Sequence, residues 1–159
     1  MSLQAQQIAG DDADLVAALV AEHLPTDDLA EDGRLFFRFE DNGVLLGFGG
    51  LEVAGDHALL RSIVVPPLAR GQGAGKRITE QLMRKAAALG IAEAYLLTTS
   101  AAPFFEAAGF RRIERHAAPP EVLATKQASS LCPSSATLLA QRVASPAPRS
   151  GSLSETTDD

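Results

Sequence analysis

Cysteine, tyrosine and tryptophan are rare or absent in the 159-residue chain, which has one cysteine, one tyrosine and no tryptophan. A lone cysteine, Cys132, excludes an intrachain disulfide and favours a reducing compartment. Charged residues or glycines interrupt every hydrophobic stretch before the roughly 18 residues of a membrane span. The first residues lack the basic and apolar regions of a signal peptide. We therefore expect a cytoplasmic protein with no membrane partner.

The chain also lacks the basic surplus of a nucleic-acid-binding protein. Its 14 Lys and Arg residues against 20 Asp and Glu residues give a formal net charge of -6. Because neutralising a phosphate backbone requires excess Lys and Arg, we expect no nucleic-acid partner. Any anion must then be bound by a local group of residues.

Metal-ligand spacing is missing as well. The three histidines, His23, His57 and His116, are scattered along the chain. One cysteine supplies one soft ligand, whereas a stable site for a soft metal needs several. We expect no metal, and we interpret Cys132 as a small half-buried residue.

The length suits one domain, which we place at residues 1–143. The last stretch, residues 144–159, is rich in Ser, Pro, Thr and Asp and has little to bury. Ordering it would cost entropy without a compensating gain, so we expect a disordered tail.

Periodicity predicts the main elements. Asp11 or Asp12 should cap a first helix that ends at Pro25, and Thr26 could cap a short second helix. Three strands with tight turns follow, and these should pair antiparallel. A longer helix from Gly71, a strand, a short helix closed by Gly109, and two further strands complete the order, with a helical excursion before the last strand.

The stretch VVPPLARGQGAGKRI, residues 64–78, has three glycines at alternate positions and three cations. A P-loop needs four residues between its first glycine and Gly-Lys-Ser/Thr. Here Gly71 and Gly75 enclose three, and Arg77 replaces the hydroxyl. The dinucleotide fingerprint Gly-x-Gly-x-x-Gly does not match either. Both nucleotide-binding alternatives are therefore excluded.

This stretch resembles the coenzyme A loop of the GNAT acyltransferases, in which Arg-Gly-x-Gly-x-Gly follows an apolar strand and opens a helix. The resemblance runs from about Asp11 to Val143. It implies an α/β (α+β) GNAT fold, with a mixed central sheet of about seven strands and helices on both faces, and acetyl-CoA as cofactor. The implied cofactor contacts are Ile63, Val64, Val65, Arg70, Gly71, Gln72, Gly73, Ala74, Gly75, Lys76 and Phe105. The physics agrees, because glycines let backbone amides at a helix start approach a pyrophosphate.

The general acid usual in this family is missing. A tyrosine often stands in the short helix, and here Phe105 takes its place. The only tyrosine, Tyr95, is interpreted as a core aromatic. A general acid is typically worth about 10²- to 10⁴-fold, and a thiol is already a tolerable leaving group, so activity can survive this change. Water would then serve as the acid.

Two stretches are similar to particular branches of the family. Residues 95–110, YLLTTSAAPFFEAAGF, resemble the amino-acid N-acetyltransferases, including N-acetylglutamate synthases. Residues 118–136, APPEVLATKQASSLCPSSA, resemble acetyltransferases encoded in arsenic-resistance operons. These resemblances imply a small amino-acid or amino-acid-like acceptor.

Four residues are candidates for the acceptor side. By strand alternation Arg61 falls on the side of Ile63 and could bind a carboxylate, or it could simply be exposed or paired at a sheet face. Glu52 is the candidate general base, with a surface carboxylate as the alternative. Thr98 and Thr99 could line the acceptor site or merely end a strand.

We thus expect an acyltransferase that moves acetyl from acetyl-CoA to a primary amine by direct attack in a ternary complex. An arsenical or phosphinic amino-acid analogue is one acceptor, and a protein N-terminus or an aminoglycoside is an alternative. A catalytically weak acetyl-CoA sensor is the alternative of another class. The oligomeric state stays open, with a homodimer as one expectation.

Overall fold

One mixed sheet organises the chain in the computed structural model, which describes residues 3–24, 26–71, 73–125 and 135–143. The sheet has seven strands in the order β1-β2-β3-β4-β5-β7-β6. Its strands are β1 (Leu3–Ile8), β2 (Arg34–Asp41), β3 (Val44–Ala54), β4 (His57–Val64), β5 (Glu93–Thr98), β6 (Arg111–Ile113) and β7 (Thr137–Arg142). The predicted mixed sheet of about seven strands is confirmed.

The parallel pair at the centre of the sheet is short. All neighbouring strands pair antiparallel except β4 and β5, which pair only from His57↔Glu93 to Leu59↔Tyr95. Beyond Leu59, β4 continues without β5 as a partner. The two central strands therefore separate over the rest of their length.

Helices cover both faces of the sheet, as predicted. They are α1 (Ala13–Ala21), α2 (Ala74–Ala88), α3 (Ala102–Ala107) and α4 (Pro120–Leu123), with single 3-10 turns at Pro67–Ala69 and Arg115–Ala117. In the part of the chain that the structure describes, no helix is long and apolar enough to cross a membrane.

Three buried clusters lie against the sheet. The α2-side core includes Ile78, Leu82, Ala86, Phe105 and Phe39. The α1-side core includes Leu15, Leu19, Phe36, Phe48 and Val64. A third cluster joins α4 to β4, β5 and β7 and includes Tyr95, so the interpretation of this tyrosine as a core aromatic is confirmed.

Local signals set the ends of α1 and α3. Asp12 caps α1, since its side chain accepts hydrogen bonds from the amides of Asp14 and Leu15. Helix α1 ends before Pro25, in a Schellman turn in which the Leu24 amide donates to the Leu19 carbonyl at 2.9 Å. A second Schellman turn closes α3 at Gly109, whose φ is 104°.

The short second helix expected after Thr26 is wrong. Residues 27–30 form turns, and the Glu31 amide donates to the Asp28 carbonyl at 3.1 Å. Because Asp28 is fully buried in this segment, its contacts decide the local backbone rather than helix propensity. In the described part of the predicted helical excursion, the structure has α4. Cys132 and the predicted tail at 144–159 lie outside the described residues.

Strand β4 carries a bulge at Ser62. Between the pairs Phe48↔Val64 and Gly50↔Arg61, β3 advances by two residues and β4 by three. Ser62 has a φ of 58°, in the left-handed region that serine rarely adopts. The extra residue interrupts the alternation of side chains along β4.

Leu82→Ala should destabilise the protein strongly. Leu82 is fully buried and its Cδ1 lies 2.9 Å from the position of a Cβ on Gly49, so α2 packs directly on β3. Truncation leaves a cavity and should cost about 2–5 kcal/mol of unfolding free energy, measured by urea denaturation. The matched control is Leu68→Ala, because Leu68 is 96% exposed. Equal losses in both variants would contradict this assignment of the core.

Candidate active site

A cavity of about 560 Å³ lies where β4 and β5 separate. Its wall includes the second half of β4, the end of β5, the start of α3 and the segment that follows α1. A volume of this size accommodates a small molecule or the reactive end of a cofactor. The cavity is therefore the candidate active site.

The glycine loop at the start of α2 presents bare backbone. Gly73 is the N-cap of α2 with a φ of 74°, and no side chain caps the helix. Gly71 also has a positive φ of 84°, and nothing lies within 4 Å of a Cβ built on either glycine. The first turn of α2 contains no acidic residue. The amides here are suited to an anion, because the helix dipole adds partial positive charge.

Cations surround this loop but differ in their partners. Arg70 donates from Nε to the Val65 carbonyl at 2.9 Å, and its Nη2 pairs with Glu22 Oε2 at 2.8 Å. Arg77 pairs with Asp41 at 3.2 Å. Lys76 is exposed on the first turn of α2. Gln72, predicted to contact the cofactor, lies outside the described residues.

The bulge changes which residues of β4 share a face. Ile63 and Val65 pack against the α2-side core, whereas Val64 belongs to the α1-side core. Arg61 also lies on the α1 side, with its guanidinium carbon 5.7 Å from the centre of the Phe36 ring. The prediction that Arg61 shares a side with Ile63 and Val65 is therefore wrong, because the extra residue resets the alternation.

Arg61 lies at the centre of a buried ionic cluster. Its Nη1 and Nη2 donate to the two oxygens of Asp28, the Nη2 contact at 2.6 Å, and Nη1 also donates to Glu52 Oε1 at 3.1 Å. Arg34 contacts the same two carboxylates, at 3.0 Å from Asp28 and 3.3 Å from Glu52. We call Asp28, Arg34, Glu52 and Arg61 the buried ionic cluster. Its two positive and two negative charges balance.

The arginines hold Asp28 in its charged form. Burial would by itself raise the pKa of the Asp28 carboxyl, but the hydrogen bonds and positive charges of Arg61 and Arg34 outweigh burial and lower that pKa from its ordinary value of 3.8. Removing one member would leave the others buried without compensation, which is strongly destabilising. The buried ionic cluster thus ties the segment after α1 to β4.

Glu52 is not placed as the predicted general base would be. It is buried, its Oε1 contacts Arg61 and its Oε2 contacts Arg34. It is also absent from the cavity wall formed by the described residues. Both oxygens bind guanidinium groups, so the position supports a structural role instead. A base has to reach the proton that it removes.

Thr98, Thr99 and Phe105, also predicted as site residues, reach the cavity wall. Thr98 Oγ1 accepts hydrogen bonds from the Ala101 amide at 3.0 Å and the Ser100 amide at 3.4 Å, which shapes the turn before α3. Thr99 lies beside it on the wall. Phe105 is buried in the α2-side core and also contributes to the wall.

Several wall residues have no role in the sequence-based predictions, among them Glu22, His23, Ser62 and Phe104. Phe104 is 42% exposed, and its Cζ lies 3.3 Å from a Cβ built on Gly75, so it covers the loop side of the cavity. His23 occupies the left-handed position of the α1 Schellman turn, with a φ of 58°. Because glycine usually occupies this position after a helix, the histidine here is the one signal by which the sequence could have pointed to His23.

Asp28→Asn should destabilise the protein in a pH-dependent way. Because the folded-state pKa of Asp28 is lowered, its stabilisation is complete above the ordinary value of 3.8 and is lost as pH falls through the folded pKa. We expect Asp28→Asn to cost about 3–5 kcal/mol of unfolding free energy at pH 7. The difference from wild type should shrink below pH 3.8.

The control for this measurement is Asp14→Asn. The Asp14 side chain is 75% exposed and lies 3.5 Å from Arg38, so its loss should change the unfolding free energy by less than about 0.5 kcal/mol. A difference between wild type and Asp28→Asn that grew as pH fell would contradict the sign of the pKa shift.

Solved structures similar to this one share its fold. The N-acetylglutamate synthase of Neisseria gonorrhoeae, complexed with coenzyme A and N-acetyl-glutamate, superposes with a TM-score of 0.72 at 19% identity over 91% of this chain and 36% of that one. The chain therefore spans about a third of that synthase. An acetyltransferase of the GNAT family from Staphylococcus aureus gives a TM-score of 0.67 at 17% identity, with 90% and 100% covered.

The ribosomal-protein-S18-alanine N-acetyltransferase of Escherichia coli gives a TM-score of 0.63 at 20% identity, with 91% of this chain and 96% of that chain covered. At such low identity these likenesses show the fold alone. No curated protein sequence matches the chain significantly.

A family model establishes more than the fold. The model of the acetyltransferase (GNAT) family matches residues 8–110, more than half of the chain. This range includes α1, the three antiparallel strands, the glycine loop, the cavity between β4 and β5, and α3. The chain belongs to the acetyltransferase (GNAT) family.

Proposed function

We propose that the protein transfers the acetyl group of acetyl-CoA to the primary amine of a small, amino-acid-like acceptor. The observation that carries this proposal is the juxtaposition of a bare glycine loop at a helix start with a cavity between two separating strands. The loop suits the pyrophosphate of the cofactor, and the cavity has room for the reacting groups.

The residues of the loop fit coenzyme A. The backbone of 70–76, apart from the undescribed Gln72, would hold the pyrophosphate, and Arg70 and Lys76 would add charge. Gly71 and Gly73 fit this role because they have no side chain and the space beside them is open. A phosphate could therefore approach the backbone there, whereas a side chain would fill that space. Ile63, Val64 and Val65 would line the path of the pantetheine arm, with Phe105 beyond them.

When bound, acetyl-CoA supplies an activated thioester whose acetyl carbon the acceptor amine attacks, with release of the CoA thiol. At the α3 position where a tyrosine would protonate the departing sulfur, Phe105 has no polar atom and cannot donate a proton. A positioned general acid is worth about 10²- to 10⁴-fold, so its loss slows but does not abolish transfer. Water in the cavity would protonate the thiolate.

The amine must lose a proton during attack. Among the described wall residues, two side chains carry a carboxylate or an imidazole that can accept a proton: Glu22 and His23. We assign proton removal to this pair, directly or through water, in place of Glu52. Both follow α1, so the segment after that helix would supply the base.

The acceptor class rests on three supports. The cavity volume suits a small molecule, and residues 95–110 resemble those of amino-acid N-acetyltransferases. The synthase with the highest TM-score quoted above carries N-acetyl-glutamate beside coenzyme A. Residues 118–136, partly outside the described chain, resemble the arsenic-operon enzymes, which adds arsenical and phosphinic amino-acid analogues to the acceptors proposed. Thr99 and the wall near Arg61 would contact the acceptor.

A second candidate function is an acetyl-CoA sensor with little or no transferase activity. The observation that favours it is Phe105 at the usual tyrosine position. Both candidates require acetyl-CoA binding, so turnover has to separate them.

Thiol release from acetyl-CoA should accelerate with an amino-acid-like acceptor. Among the common amino acids and their phosphinic and arsenical analogues, we expect one small amine to give the highest turnover. Turnover is measured by the release of the CoA thiol, and the acetylated product is identified by mass spectrometry. Turnover of none of these, together with tight acetyl-CoA binding by calorimetry, would favour the sensor.

Gly73→Val should abolish acetyl-CoA binding while the fold remains. The new side chain projects from the N-cap of α2 into the space assigned to the pyrophosphate. Its positive φ of 74° makes the substitution cost about 1–2 kcal/mol of stability. Gly90→Val at the other end of α2 is the control, since its φ is 80° and the surrounding space is equally open. Equal acetyl-CoA affinity in the two variants, measured by calorimetry, would refute the placement of the cofactor.

A further inference from the structure

Ser62 combines an unusual backbone conformation with a place on the cavity wall. Among the described residues, three other than glycine have a positive φ: His23, Asn42 and Ser62. His23 ends a helix and Asn42 lies in a turn, where this conformation is ordinary. Ser62 lies inside β4, where glycine would relieve a strain of about 1–2 kcal/mol. A strained residue on a cavity wall is a candidate for a chemical role.

The hydroxyl of Ser62 is oriented by its neighbour. Arg61 Nε donates to Ser62 Oγ at 3.2 Å, so one lone pair of the hydroxyl is used. A hydroxyl has one hydrogen to donate, and among the described residues no acceptor takes it. The hydrogen is therefore left for a group in the cavity.

Arg61 cannot turn away from this contact easily. Asp28 binds both of its terminal nitrogens, and Glu52 binds Nη1. The guanidinium behind the hydroxyl polarises the O–H bond, and hydrogen bonds in series strengthen one another. Ser62 is thus a fixed donor suited to an oxygen that gains negative charge.

The position of Ser62 indicates which oxygen that is. The proposed path of the cofactor runs from the glycine loop back along Val65, Val64 and Ile63. Ser62 is the next residue, at the end away from the pyrophosphate, where the acetyl group lies in that arrangement. The acetyl carbonyl oxygen gains charge when the amine attacks, since the new N–C bond displaces the C=O π pair onto oxygen before the C–S bond breaks.

We propose that the Ser62 hydroxyl, oriented by Arg61, donates a hydrogen bond to the acetyl carbonyl oxygen of bound acetyl-CoA and stabilises its negative charge during transfer. Ser62 gives up no proton in this role. The amine proton leaves to the base, and the CoA thiolate gains a proton from water. Arg61 is a positioning residue here. This inference rests on the proposed function, because it uses the proposed path of the cofactor.

The test is the carbonyl stretching frequency of bound acetyl-CoA labelled with carbon-13 at the acetyl carbonyl, measured by infrared spectroscopy without an acceptor. A hydrogen bond lowers this frequency. We expect a higher frequency in Ser62→Ala and in Ser62→Gly than in wild type. Ser62→Ala keeps the backbone strain and Ser62→Gly removes it, so an increase in frequency that both variants share is due to the lost hydroxyl and not to the strain. Ser62→Gly should fold at least as stably as wild type.

Asn42→Gly is the matched control, because it relieves a φ of 52° away from the cavity wall. Its bound carbonyl frequency should equal that of wild type. In steady-state assays, both Ser62 variants should lose about 10²-fold in kcat with little change in the KM for acetyl-CoA, as expected for a lost donor to a developing charge.

An unchanged frequency in both Ser62 variants, with normal acetyl-CoA affinity, would overturn this inference and leave the proposed function standing. A fall in acetyl-CoA affinity with no frequency change would also overturn it, because Ser62 would then contribute to binding alone. Failure of wild type to bind acetyl-CoA would overturn both proposals together.

Discussion

The brief parallel pairing of β4 with β5 is the constraint on which the site depends. Three residue pairs join these strands, and beyond Leu59 the polar backbone groups on this side of β4 have no strand to pair with. Buried amides and carbonyls without partners are costly, so such a gap in a central sheet favours a ligand that supplies them. The other neighbouring strands of the sheet pair antiparallel on both sides of this gap.

The buried ionic cluster maintains the shape of one side of this gap. A buried group of charges adds little net stability compared with apolar packing, since the desolvation cost offsets the attraction. Its value here is geometric. Asp28 comes from the segment after α1, Arg34 from β2, Glu52 from β3 and Arg61 from β4. Four separate parts of the chain therefore converge on the bulge next to the cavity.

Much of the fold could be predicted because its signals are local. The Asp12 cap, the Gly109 turn and the apolar stripe of α2 each lie within a few residues of sequence, and the glycine loop carries its own chemistry. The acceptor side could not be predicted in the same way. A bulge at serine has no local signature, so the alternation argument placed Arg61 on the wrong face. Asp28, one partner of Arg61, is 33 residues away in a segment that the sequence predicts as a short second helix.

Glu22 and Arg70 form an ion pair beside the glycine loop of this acidic protein. Both side chains are partly exposed, at 39% and 49%, so their attraction is worth less than about 1 kcal/mol. Glu22 and the Val65 carbonyl together hold the Arg70 guanidinium beside the glycine loop, and an anion bound at the loop could displace the carboxylate at little energetic cost. The easily displaced Glu22 carboxylate therefore keeps Arg70 in place until an anion binds at the loop.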